Sequence, residues 1–279
     1  MSKNKGGRPE SIKTPVEVMQ TKCWLKFLLA QTSSEDFNTF DRKVHDIPEG
    51  MSVTQFRIEN SDKVVRWERY ESQEISPNET TLKLFDQPQF VTKSRKVYEV
   101  GPLIEDEHIP LWRLFQETEN VRSHDADDLW EIVVAAIPEM KELRKRGAPY
   151  TIRVNMIALL FVPESEWQAL NFKDPTDKPD MHVVVKAYRH QYFQPTPQLL
   201  LAAMAMWRIA MSVGESMAQM EYLIRGLLAE PYKDFLCGLE IYTEFIAAFY
   251  MAEINDCLAK GDLATAKKLS EMLKSNELS

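Results

Sequence analysis

The apolar positions of the chain fall mostly at helical spacing, in short runs separated by proline, glycine and small polar residues. Val18, Trp24, Leu25, Leu28 and Leu29 approximate one helical stripe. Pro15 opens this helix, and Thr14 with Glu17 three residues on makes a capping box at its start. Phe37, Phe40 and Val44 share a face of a second helix, for which Ser33 or Ser34 is the expected cap. Residues 47–59 contain Pro48 and Gly50 and are expected to form a loop or irregular insertion. Asn60 is the expected cap of a third helix, residues 61–72, with Val64, Val65 and Trp67 as its apolar positions. Ser76-Pro77 is expected to start a fourth, which carries Leu82, Leu84 and Phe85 and stops by Pro88.

Residues 87–109 are expected to be a connector with β-like fragments such as 96–100, and a helix is expected to begin at residues 109–112. Further helices are expected over 125–137 and 139–146. Residues 150–162 fit either a strand or a buried helix, and 182–187 a short strand. From residue 198 onward the pattern is strongly helical: 199–213, 215–228, 233–258 and 262–274, the last capped by Asp262 after Gly261.

The 279 residues are 44% hydrophobic and 27% charged, which bounds the chain to a globular protein of roughly two domains. The net charge of −8 changes the picture more. Proteins that coat nucleic acid without sequence preference are basic, so any DNA contact here must be local, and an anionic membrane surface is disfavoured. Three cysteines without a Cys-x-x-Cys pair make no disulfide framework, and a reducing, cytoplasmic location is expected. The N-terminus lacks the apolar core of a secretory signal. The most apolar stretch, 199–213, is shorter than the about 20 residues a membrane span needs and reads as a core helix.

Candidate chemistry is sparse. His124, Asp125, Asp127 and Asp128 fit helix-start residues better than a metal site. Residues 105–108 form an acidic loop run. His182 and His190 lack partners at zinc spacing. No phosphate-binding glycine loop or nucleophile elbow is present. No metal, no cofactor and no enzymatic activity are expected.

One segment carries a resemblance. Val64-Val65-Arg66-Trp67-Glu68-Arg69, then Pro77, then Thr81-Leu82-Lys83-Leu84 give residues 15–86 a pattern that resembles the lambda-repressor/Cro-like (Xre-type) helix-turn-helix. The departures are Tyr70, where that family has its turn glycine, a longer turn to Pro77, and the insertion at 46–59. With the hydrophobic pattern, the expectation is a mainly α protein: a flexible basic arm over 1–14, a helix-turn-helix-like bundle over 15–95, and a helical domain over 96–279 with at most a small β element. The resemblance implies sequence-specific binding of double-stranded DNA by a transcriptional regulator or DNA-associated accessory protein. Trp67 would anchor the base-reading helix in the core. Asn60, Ser61, Lys63 and Arg66 would face the bases, with Asp62 poorly placed among them, and Arg69 would form an ion pair or a phosphate contact.

In the arm, Gly6-Gly7-Arg8-Pro9 resembles the core of an AT-hook, which places Arg8 in a narrow minor groove. Met204, Met206, Met211, Met217, Met220 and Met251, and a stripe of Leu263, Ala266, Leu269 and Met272 or Leu273, allow a homodimer through the C-terminal helices. The alternative is a non-enzymatic protein-interaction or scaffold protein with a degenerate helix-turn-helix. A shared positive face of Arg8, Lys63, Arg66, Arg69 and Lys83 would favour DNA, and acidic side chains breaking up that face would favour the alternative.

Overall fold

A computed structural model of the chain describes residues 13–60, 67–87, 91–104, 106–115, 124–136, 197–213 and 232–275, with positions 141, 221, 224, 225, 227 and 228. The fold is mainly helical, with one small two-stranded sheet among the described residues, the class the hydrophobic pattern predicts. It divides into two compact units. Residues as far as Tyr98, together with Thr243–Ser279, make the first, and Glu99–Tyr242 make the second. The division near residue 98 lies close to the expected 95/96 boundary, but residues 243–279 group with the first unit rather than with the expected C-terminal domain. No described helix is long and apolar enough to cross a membrane.

In the first unit, α1 spans Pro15–Gln31 and has the expected capping box: Glu17 N–H donates to the Thr14 hydroxyl at 3.2 Å, and Thr14 N–H donates to the Glu17 carboxylate at 2.8 Å. Its buried face holds Met19, Cys23, Trp24, Leu25 and Leu28. The helix ends through a left-handed Ser33 (φ 50). Ser34 N–H donates to the Leu29 carbonyl and Ser33 N–H to that of Ala30, which closes a Schellman motif. Because Ser33 and Ser34 terminate α1, neither caps the next helix. Asp36 caps α2 (Phe37–Val44) instead, its carboxylate accepting from Thr39 N–H at 2.7 Å. That backbone hydrogen bond holds the Asp36 carboxyl below its ordinary pKa, so the cap acts as a carboxylate and weakens as pH falls through the carboxylate range.

A left-handed residue with a Cβ costs about 1 kcal/mol relative to glycine. Ser33 is exposed, so Ser33→Gly is expected to raise stability by about that amount. A lower urea midpoint for the variant would contradict the reading.

Residues expected to be irregular contain a helix, α3 (Val53–Glu59), capped by Ser52. Val53 is its one buried residue and Ile58 is 73% exposed, so it has no apolar stripe for periodicity to detect. Then come α4 (Trp67–Glu71), α5 (Glu79–Phe85) and α6 (Ser94–Glu99). Asn78, not Ser76, caps α5, accepting from Thr81 N–H at 2.9 Å and leaving Pro77 outside the helix. The β-like run at 96–100 is mostly helix α6, with Val97 on its buried side. An aromatic core of Trp24, Phe37, Phe40, Trp67, Tyr70 and Phe85 joins α1, α2, α4 and α5, with Leu25, Leu28, Leu82 and Val91 around it.

The second unit begins with β1 (Leu103–Ile104) antiparallel to β2 (Glu107–His108), so the last two residues of the acidic run at 105–108 are the second strand of a hairpin. The helix expected at residue 109 is a single 3-10 turn, Trp112–Phe115. Next are α7 (His124–Ala136) and α8 (Pro197–Val213), which correspond to the helices expected at 125–137 and 199–213. Helix α8 packs on α7 and on the 3-10 turn. Leu199 to Trp207 are all buried, as are Ile209 and Ala210, so α8 is a central core helix. Expectations for 139–146, 150–162, 182–187 and most of 215–228 lie outside the described residues.

The expected helix 233–258 is two, α9 (Lys233–Gly238) and α10 (Tyr242–Lys260), separated by left-handed Glu240 (φ 61). The chain closes with α11 (Leu263–Lys274), capped by Asp262 after Gly261 as expected.

Candidate nucleic-acid interface

Trp67 is the first described residue of α4 and is 1% exposed. Its ring stacks on Phe37 at 4.4 Å with an interplanar angle of 14° and meets Phe40 and Phe85 at 5.3 and 5.1 Å. Such burial is hydrophobic on every side except at the indole N–H, which needs an acceptor. Asp41 on α2 supplies one: its Oδ1 accepts from Trp67 Nε1 at 2.7 Å. The other oxygen of the same fully buried carboxylate accepts from Arg57 Nε at 3.0 Å and Nη2 at 2.8 Å. Arg57 Nη1 then donates to Glu68 Oε1 at 2.7 Å. One guanidinium therefore ties α3 to α2 and α4. Burial works against the Arg57 charge, but the hydrogen bonds and attraction of Asp41, then of Glu68, outweigh it and hold its pKa above the ordinary value.

Neither Asp41 nor Arg57 stood out in the sequence. The trace of Asp41 is its position among Phe37, Phe40 and Val44, a carboxylate within an otherwise apolar face. Arg57 carries no such trace, since its segment lacks helical periodicity.

Tyr70 is buried where the resemblance places a turn glycine, and its hydroxyl lies 3.4 Å from that of Thr81. The left-handed turn comes three residues later, at Gln73 (φ 61). The backbone thus makes the turn without glycine, and Tyr70 serves the core instead.

Of the residues expected to contact DNA, Arg8, Ser61, Lys63 and Arg66 lie outside the described residues. The start of the helix that Asn60 was expected to cap lies outside the described residues. Asn60 itself ends α3, where its side-chain amide donates to the Phe56 carbonyl at 3.0 Å. The backbone N–H of Asn60 donates to the same carbonyl at 2.9 Å, so both groups of Asn60 serve the last turn of α3. Arg69 Nε lies 3.2 Å from Glu74 Oε2, both half-exposed. Lys83 and Arg95 both reach Glu79 at 3.1 Å. The Lys83 hydrogen bond, then the Arg95 charge, hold the Glu79 carboxyl below its usual range. Lys22 pairs with Glu244 of α10 at 2.7 Å. Arg42 donates to the Met51 carbonyl, and Lys43 to the carbonyls of Thr32 and Ser33. The described part of the expected positive face, Arg69 and Lys83, is thus interrupted by Glu74 and Glu79.

Charge is distributed unevenly between the units. Residues 1–98 and 243–279 together hold 20 Lys and Arg against 20 Asp and Glu, whereas 99–242 hold 14 against 22. The first unit is neutral and the second carries the whole acidic excess. Among the described residues, no three His, Cys, Asp or Glu side chains gather into a metal cage. No protein-family model, no curated protein and no solved structure matches this chain.

Proposed function

We propose that the first unit is a sequence-specific DNA-binding module of a regulatory or DNA-associated accessory protein, and that residues 1–14 act as its minor-groove arm. The observation that supports this most is the fixing of Trp67. A helix that reads the major groove needs its far end held rigidly in a core, and the Phe37 stack with the Asp41 hydrogen bond does that at Trp67. The newly seen α3 strengthens the parallel. It ends eight residues before Trp67, so a helix stands before the base-reading stretch where the sequence pattern had an irregular insertion. With Asn60 and Arg69 engaged elsewhere, the reading rests on Arg8, Ser61, Lys63 and Arg66. A neutral unit with paired cations binds DNA weakly in general, so affinity depends on these few groups.

The proposal extends to a cytoplasmic homodimer. Cys23, Cys237 and Cys257 form no disulfide, which fits a reducing compartment, and Leu258 on α10 and Leu263 on α11 expose apolar surface for a second copy.

One observation favours a protein-interaction module instead: the carboxylates beside Arg69, Lys83 and Arg95 break up the positive face. Titration of the full chain against random-sequence duplexes at two salt concentrations separates the readings. Under the DNA reading, wild type enriches a particular sequence. Arg66→Ala loses about tenfold in discrimination, and Arg8→Ala weakens all duplexes alike and lowers the salt slope by about one. No enrichment by wild type would remove the DNA reading in favour of the interaction module.

A further inference from the structure

We propose that Arg57 is a positioning residue for DNA recognition, a clamp that fixes α3 against α4 and so sets sequence discrimination; this rests on the DNA-binding reading above. Its guanidinium spends Nε and Nη2 on the buried Asp41 carboxylate and Nη1 on Glu68. All three nitrogens are therefore engaged within the protein, and the side chain is only 19% exposed. A guanidinium so occupied is poorly placed to hold a phosphate as well. What it does hold is geometry. Asp41 already fixes Trp67 of α4, so the same carboxylate that anchors α4 also orients Arg57 on α3, and Glu68 of α4 closes the loop. A planar donor fork held at two carboxylates restricts rotation as well as separation, which a single lysine contact would not do. In a helix-turn-helix, the relative pose of the paired helices sets where base-reading side chains fall along the groove. Helix α3 depends on the clamp more than α4 does: α3 buries only Val53, whereas α4 is anchored in the core through Trp67 and Tyr70.

The test uses the full chain, the duplex that wild type enriches, and a scrambled duplex of equal length. Arg57→Gln is expected to lower the ratio of the two affinities about tenfold, and Glu68→Gln about threefold, without changing the salt slope. Amides of Val53–Glu59 are expected to exchange faster in both variants with no DNA present. Affinities that fall together on both duplexes would make Arg57 merely structural and overturn the proposal. So would a salt slope lowered by about one, which marks a direct phosphate contact. Should Arg57→Gln fail to fold, Glu68→Gln decides, because Glu68 is 68% exposed and the Asp41–Arg57 pair survives its loss. A wild type that does not discriminate between duplexes sinks the DNA reading itself, and this inference with it. A discriminating wild type whose variants discriminate equally well sinks this inference alone.

Discussion

Asp41→Ala is expected to destabilise the first unit by about 3–5 kcal/mol, the range seen when one member of a buried charged pair is removed. The carboxylate is fully buried and serves donors on two elements. Without it, the Trp67 N–H faces an apolar core with no acceptor, and Arg57 keeps its charge beside an emptied space. The loss therefore combines two unpaired donors and a cavity, against an overall stability of about 5–15 kcal/mol for a typical domain. Asp41→Asn is expected to cost less, about 2 kcal/mol, because its amide oxygen serves one donor while its NH2 group opposes the other. The network makes a further claim. Trp67→Phe removes one of the stranded donors, so it should cost less in the Asp41→Ala background than in wild type, with a coupling of about 1 kcal/mol or more. Urea unfolding followed by far-UV circular dichroism measures all three. A loss below about 1 kcal/mol for Asp41→Ala, or strict additivity with Trp67→Phe, would show that the network contributes little.

What the sequence disclosed divides along the reach of the interactions. The Thr14–Glu17 box and the Asp262 cap depend on residues three apart, and both were readable. So was the core role of residues 199–213, since a helix apolar on every side has one plausible place. Ser33 and Ser34 misled because a serine is equally suited to ending one helix and starting the next. Only the left-handed Ser33 backbone decides between the two. Helix α3 was hidden because little of the packing that holds it is apolar: one buried valine, the ring contact of Phe56 with His45, and one guanidinium. Val97 and Tyr98 in α6 have strand propensity, and tertiary burial overrode it. At the candidate site, Trp67 was legible as an anchor through its size and the family resemblance. Its acceptor lies 26 residues away and the second donor 16 residues from that acceptor, separations at which no local pattern survives.

Gly101→Ala is expected to be the most damaging single-methyl change in the described part of the second unit, at about 4 kcal/mol or more. Gly101 has φ +152, and a Cβ added there would lie 1.8 Å from the Ile109 carbonyl oxygen and 2.9 Å from Leu111 N. Those are backbone atoms, so no side-chain rotation relieves the clash. The two strands flanking this point are also bonded to each other. Ile109 N–H donates to the Pro102 carbonyl at 2.9 Å, and His108 Nδ1 lies 3.2 Å from the Gly101 carbonyl oxygen. Admitting a methyl group means parting these bonds and displacing the start of the β1–β2 hairpin, directly before the buried Leu111 and Trp112. Gly50→Ala provides the control. It too has positive φ, +91, but nothing stands within 4 Å of the added Cβ, so only the backbone penalty of about 1 kcal/mol applies. If the two variants unfold at similar urea concentrations, the close approach at Gly101 is not a constraint on this fold. If Gly101→Ala loses the near-ultraviolet circular dichroism of its tryptophans while Gly50→Ala keeps it, the hairpin is fixed by the absence of one carbon atom.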